Sequence, residues 1–225
     1  MPNKQIIKLH QSSARFDTEL LSNQCCYSDE SLGLSIGIVD SHSLPKAVIP
    51  DGYDELIVVI KGTLQVENNL TGTIDTFQAG ESVVIHQEGN NQYHQSARFR
   101  AIYVTYQCTD NIDKLQQFAS NIVPIHEHSD MSWQKTSDGH RKKVLYQHSN
   151  QGFTVGVWQS KALTTGLINF PYHEFILINQ GELICIDETG IEHRFSAGDA
   201  LFIPQGTSCA WQINDGISIH FAQIR

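Results

Sequence analysis

No stretch of the chain approaches the roughly 20 consecutive apolar residues that a membrane-spanning helix needs. Residues 1–10 carry no apolar core of the kind that opens an export signal. Both absences lead to the expectation of a cytoplasmic protein with no membrane partner. Basic residues are scarce. Lys and Arg number 15 against 24 Asp and Glu, a net charge of −9 with no long run of one sign, which excludes nucleic acid as the main partner. The five cysteines include no C-x-x-C pair, so neither a zinc ribbon nor a disulfide framework is indicated. Helical periodicity is also nearly missing. Only Ile112, Leu115 and Phe118, spaced by three after Asp110, suggest a short helix.

What the chain has instead is a run of short alternating segments punctuated by Gly and Asn. The pattern is that of an all-β sandwich or barrel. One stretch occurs twice. Tyr53-Asp54-Glu55-Leu56-Ile57-Val58-Val59-Ile60-Lys61-Gly62 returns as Tyr172-His173-Glu174-Phe175-Ile176-Leu177-Ile178-Asn179-Gln180-Gly181. Each copy sets one carboxylate at the mouth of an apolar run of strand length and ends on glycine. Tyr27, Gly33, Gly37, Glu55 and Gly62 each recur 119 residues later, and Phe77, Gly80, Ile85 and Gln87 recur 118 later. Two copies of one β unit follow. The expected boundaries are residues 1–109 for the first unit, 110–133 for a connector with a short helix, and 134–225 for the second. Within the first, residues 1 to about 13 read as an irregular lead-in.

The residues then resemble the cupin superfamily. Its first motif runs G-x5-H-x-H-x3,4-E-x6-G and its second G-x5-P-x-G-x2-H-x3-N. Glu55 with Gly62, and Glu174 with Gly181, match the E-x6-G half of the first motif; Gly198, Pro204 and Gly206 match the second. Residues 150–225 look most like the subgroup of ureidoglycine aminohydrolase and ethanolamine-utilisation cupins, and 27–107 follow more weakly. The resemblance implies a bicupin, two double-stranded β-helix (jelly-roll) barrels, each with a ligand site in its open end. In metal-binding cupins the two His and the Glu of the first motif and the His of the second are the ligands, a set suited to divalent transition metals.

Here the sequence departs from the family. The H-x-H positions hold Ile168 and Phe170, or Leu167 and Asn169, in the second unit, and Ile49 and Asp51, or Val48 and Pro50, in the first. The second-motif His position holds Cys209, and in the first unit Asn91 or Gln92. No cofactor is therefore expected. The remaining route to a divalent transition metal is a mixed site of Glu55, His86 and His94.

Strand alternation places Tyr172, Glu174, Ile176 and Ile178 on one face, His173 on the other, and Cys209 with Trp211 and Ile213. With the glutamate pointing inward as in the family, the second interior offers a carboxylate, a phenol, a thiol and an indole among apolar walls. Tyr53 and Glu55 repeat the arrangement. The expected function is binding of a small polar, for instance nitrogen-containing, metabolite, with Glu174 as acid/base if a hydrolase or lyase reaction follows. The rival is a non-catalytic ligand sensor or structural bicupin. The doubly apolar runs from Leu56 and Phe175 need cover on both faces, which the two halves or a homodimer can supply.

Overall fold

The computed structural model describes residues 5–10, 24–40, 52–68, 71–86, 91–107, 121–126, 132–135, 139–148 and 150–225. These fold as strands and turns, with no helix among them. No helix is long and apolar enough to cross a membrane among the described residues. The chain divides into two compact units, Asp17–His126 and the combination of Glu127–Arg225 with Met1–Phe16.

In the first unit β2 (Gln24–Asp29), β3 (Leu34–Asp40), β4 (Tyr53–Lys61), β5 (Thr63–Asn68), β6 (Thr73–Gln78), β7 (Ser82–Ile85), β8 (Asn91–Gln95), β9 (Arg100–Gln107) and β10 (Ile122–Ile125) form two antiparallel sheets. One runs β10-β7-β4-β9-β3-β2 and the other β6-β5-β8. The second unit comprises β11 (Gln134–Lys135), β12 (Arg141–Gln147), β13 (Phe153–Thr164), β14 (Ile168–Asn169), β15 (His173–Asp187), β16 (Glu192–Ser196), β17 (Ala200–Ile203) and β18 (Ser208–Ile224), joined by β1 (Ile7–His10). Its order, β1-β17-β15-β18-β13-β12-β11, reproduces that of the first. Here β15 and β18 run through the turns that part β4 from β5 and β8 from β9. Both units are jelly rolls.

The registers agree as well as the order. Glu55 lies opposite Thr105, as Glu174 lies opposite Gln223. Val66 faces Tyr93, as Cys185 faces Trp211. β4 and β15 are strands because their β-branched and aliphatic residues fill both faces of a covered sheet: Leu56, Ile57, Val58 and Val59 are buried, and so are Phe175, Ile176, Leu177 and Ile178. Gly62 (φ 77°) and Gly181 (φ 91°) then take a left-handed backbone that a side chain disfavours.

The boundaries differ from those expected. Residues 1–13 are not all lead-in: Ile7 pairs with Phe202 and Lys8 with Leu201, adding an edge strand to the second unit and burying Leu9. Conversely Ile122–Ile125, expected in the connector, pairs with β7 in the first unit, Ile122 opposite Ile85 and Val123 opposite Val84. Each unit thus takes its outermost strand from the stretch preceding the other unit's repeat. The physical reason is the edge of β7 and β17, whose open N–H and C=O groups and apolar side chains are covered by any short apolar strand in reach. The helix expected from Asp110 lies, Asn121 apart, outside the described residues.

Candidate functional site

The two interiors are built alike and filled differently. In the second unit Ile176, Ile178, Leu183, Cys185, Leu201, Ile203, Cys209, Trp211, Ile213 and Phe221 form one buried cluster, with Trp158 packed against it. Trp158 meets Trp211 edge to face at 6.1 Å, and Phe170 meets Trp211 at 5.8 Å. Such offset and T-shaped ring pairs fill space efficiently. Cys185 and Cys209 are free thiols, fully buried side by side. The thiol of Cys185 is raised by its hydrogen bond with Cys209 and by burial. The hydrogen bond from Cys185, with the Trp211 indole alongside, lowers Cys209.

At the mouth of this interior a polar chain surrounds Glu174. Gln223 Nε2 donates both to Glu174 Oε1 at 3.2 Å and to the Tyr172 hydroxyl at 3.1 Å. Lys142 Nζ donates to Gln223 Oε1 at 3.2 Å and lies 4.4 Å from the centroid of the Phe221 ring. The Arg225 guanidinium lies 5.1 Å from the Tyr172 ring centroid. Burial pushes the Glu174 carboxyl up to about 7, against the pull of the Gln223 hydrogen bond and the Lys142 charge. Burial lowers the Lys142 ammonium, and burial and Glu174 raise the Tyr172 phenol. His173 points the other way, as alternation requires. Its Nδ1 accepts from the Gln205 N–H at 3.1 Å and its ring stacks on Phe202.

In the first unit the equivalent glutamate sits in open space. Glu55, Val39, Ile57, Leu64, Tyr93, Gln95, Phe99 and Tyr103 line a small pocket. One exchange distinguishes its lining from the second unit's interior. Val39 lies opposite Ala101 just as Trp158 lies opposite Ile219, so a valine stands where the second unit has an indole. The register also sets Tyr93 in the place of Trp211 and Tyr103, opposite Ile57, in that of Phe221, opposite Ile176. Gly37 makes room for the Tyr103 phenol: a Cβ there would stand 2.5 Å from the tyrosine hydroxyl. Burial alone lifts the Glu55 carboxyl to about 8. The phenols of Tyr93 and Tyr103 are raised by their own burial and by the nearby carboxylate. At neutral pH the pocket therefore presents a carboxylic acid, two phenols and an amide.

The structure does not assemble the mixed site of Glu55, His86 and His94. Glu55 lies opposite Ile85, so His86, the next residue, faces the other side, where its Nδ1 pairs with the Asp54 carboxylate. His94 is 57% exposed and stands 3.8 Å from Glu67. Tyr53 shares the strand face of Glu55 but is not among the pocket-lining residues. The residues present do not fit a transition metal either. Beside Glu55 stand phenols and an amide, beside Glu174 an amide, a phenol and an ammonium that repels a dication. Among the described residues no three His, Cys, Asp or Glu side chains converge at Glu55 or at Glu174. Tyr93, Tyr103 and Gln95 were missed by sequence reading, yet the 118-residue offset from Trp211 and Phe221 to Tyr93 and Tyr103 was there to find them.

Comparison with known proteins agrees with this architecture. Residues 148–221 match the model of the EutQ-like cupin domain. No curated protein matches the chain. Among solved structures, a protein of unknown function of the DUF861 family from Pseudomonas syringae pv. tomato is similar over 98% of this chain and 100% of its own, at 17% identity and a TM-score of 0.82. A Cupin 2 conserved barrel domain protein from Leptotrichia buccalis follows at 9% identity and TM-score 0.60, covering 94% of this chain and 92% of its own. The DUF861 protein Ylba from E. coli is similar over 99% of this chain and 91% of its own, at 8% identity and TM-score 0.59. These likenesses are of fold.

Proposed function

We propose that the chain is a bicupin whose first unit binds a small polar molecule, with Glu55 at the floor of the site and Tyr93, Tyr103 and Gln95 around it. The observation that carries this reading is the exchange of Val39 for Trp158: a valine lines the pocket beside Glu55, where the second unit packs an indole against its core. Mostly apolar walls with a few placed polar groups are the usual make-up of a small-molecule site. The test is calorimetry or thermal shift over a panel of small polar metabolites. Hits should bind the wild type, should lose binding in Val39→Trp, and should be indifferent to the exposed Glu192→Gln. A hit that binds Val39→Trp as well as wild type lies elsewhere.

A second reading is supported by the network around Glu174. A carboxyl that titrates near 7 and touches an amide, with a phenol and an amine at hand, suits general acid–base work in a hydrolase or lyase. On this reading Glu174→Gln abolishes turnover while Glu55→Gln alone spares it. The first reading is preferred because the indoles occupy the space behind Glu174. It also accommodates a non-catalytic sensor, since binding needs no reaction.

A further inference from the structure

The second unit shows how this fold satisfies a glutamate set inside it. An ammonium, Lys142 Nζ, lies 4.4 Å from the Phe221 ring centroid and is tied through Gln223 to Glu174. The first unit keeps the glutamate and an aromatic ring in the place of Phe221, here Tyr103, but among the described residues not the ammonium. At the 119-residue offset, the position of Lys142 is held by Asn23. Among the described residues no lysine, arginine or histidine lines the Glu55 pocket. Two phenols and the Phe99 ring line it instead.

We infer that the first unit's pocket takes a small organic cation, an alkylammonium whose charge pairs with Glu55 and whose alkyl groups lie against Tyr93, Tyr103 and Phe99. The ligand supplies from outside what Lys142 supplies from within. An anion finds no counter-charge there and one acidic group. A neutral molecule can use the hydrogen-bonding groups but leaves the negative faces of three rings without a partner, whereas a cation satisfies the rings and the carboxylate together. The titratable groups that face Glu55 are Tyr93 on β8 and Tyr103 on β9, both protonated through the neutral range. Glu55 is thus the group that changes state on binding: it gives up its proton to buffer as the cation enters.

The inference rests on the pocket being the binding site, and its test separates the two. Choline and its uncharged carbon isostere, 3,3-dimethyl-1-butanol, are titrated into the full chain in buffers of different ionisation enthalpy. Choline should bind with release of close to one proton near pH 7, its apparent affinity rising about tenfold per pH unit up to about 8 and levelling above. The isostere should bind at least about tenfold more weakly. Glu55→Gln, a near-isosteric change that keeps the fold, should weaken choline by a similar factor and leave the isostere unchanged. Equal or tighter binding of the isostere, lost in Val39→Trp, would overturn the cation and leave the pocket standing. Silence from both compounds at millimolar concentration would also overturn the cation, while the wider metabolite panel decides the pocket.

Discussion

A carboxyl set among apolar walls and phenols, with no cation beside it among the described residues, resists ionisation, and that resistance is felt by the whole fold. Glu55 sits at about 8 in the folded chain against 4.5 for the free side chain. The unfolded chain therefore binds fewer protons than the folded one between those values, and stability falls as pH rises through that window. The slope is at most about 1.4 kcal/mol per pH unit for one such group. Glu55→Gln should match the wild type below about pH 4.5 and exceed it in chemical denaturation above pH 8. A constant gap across pH would show that Glu55 is ionised in the fold. Glu174 behaves likewise over a narrower window, up to about 7, because Gln223 and Lys142 offset part of its burial. Lys142→Met removes one of those influences, so the Glu174 carboxyl should titrate at higher pH in the variant, as carbon-detected NMR of the side chain would show. An unmoved titration would mean that the ammonium's charge does not reach the carboxylate.

At the scale of the elements, the two outermost strands hold the lesson. β1 and β10 are four residues each, too short to announce themselves by period, and they lack flanking turn signals that would set them apart from a linker. Their assignment depends on a non-local edge, which composition does not report. The long central strands were legible for the opposite reason: the runs from Leu56 and Phe175 are apolar on both faces and end at glycines that the backbone requires, β4 stopping there and β15 turning through. Deleting residues 1–10 should strip cover from β17 and expose the surface against Leu9. Of Leu201 and Phe202, whose amides point to opposite neighbours, the one that faces β1 should then lose hydrogen-exchange protection, while Val83 and Val84 on β7 keep theirs. Equal loss in both strands would contradict the pairing.

For the molecule as a whole, the half richest in family motifs is the half that sets an indole where the other has a valine. Motif residues such as Gly181, Gly198, Pro204 and Gly206 specify backbone turns, and turns say nothing about how full the interior between them is. Fullness is set by Trp158 and Trp211 against Val39 and Tyr93, legible only once the halves are aligned and compared by side-chain volume. The glutamate at each mouth was plain from the repeat, whereas its company of Lys142 and Gln223, or of Tyr93 and Gln95, comes from strands far off in sequence. Trp158→Val should make the second interior resemble the first. Because Trp158 is only partly buried, the change should cost less than the roughly 3–5 kcal/mol of emptying a fully buried aromatic site, and free indole should recover part of the lost melting temperature by filling the void. Failure of indole to rescue would mean the neighbouring rings collapse into the gap.

The exchange of outermost strands bears on how the chain can be divided. Scission within residues 109–120, at the seam of the duplication, yields two fragments that each lack the margin of their own jelly roll and carry the margin of the other's. Neither piece closes alone, but mixed together they hold all the parts of both. Reassembly from such halves, in one-to-one ratio and not from either half by itself, is what a topology of this kind dictates.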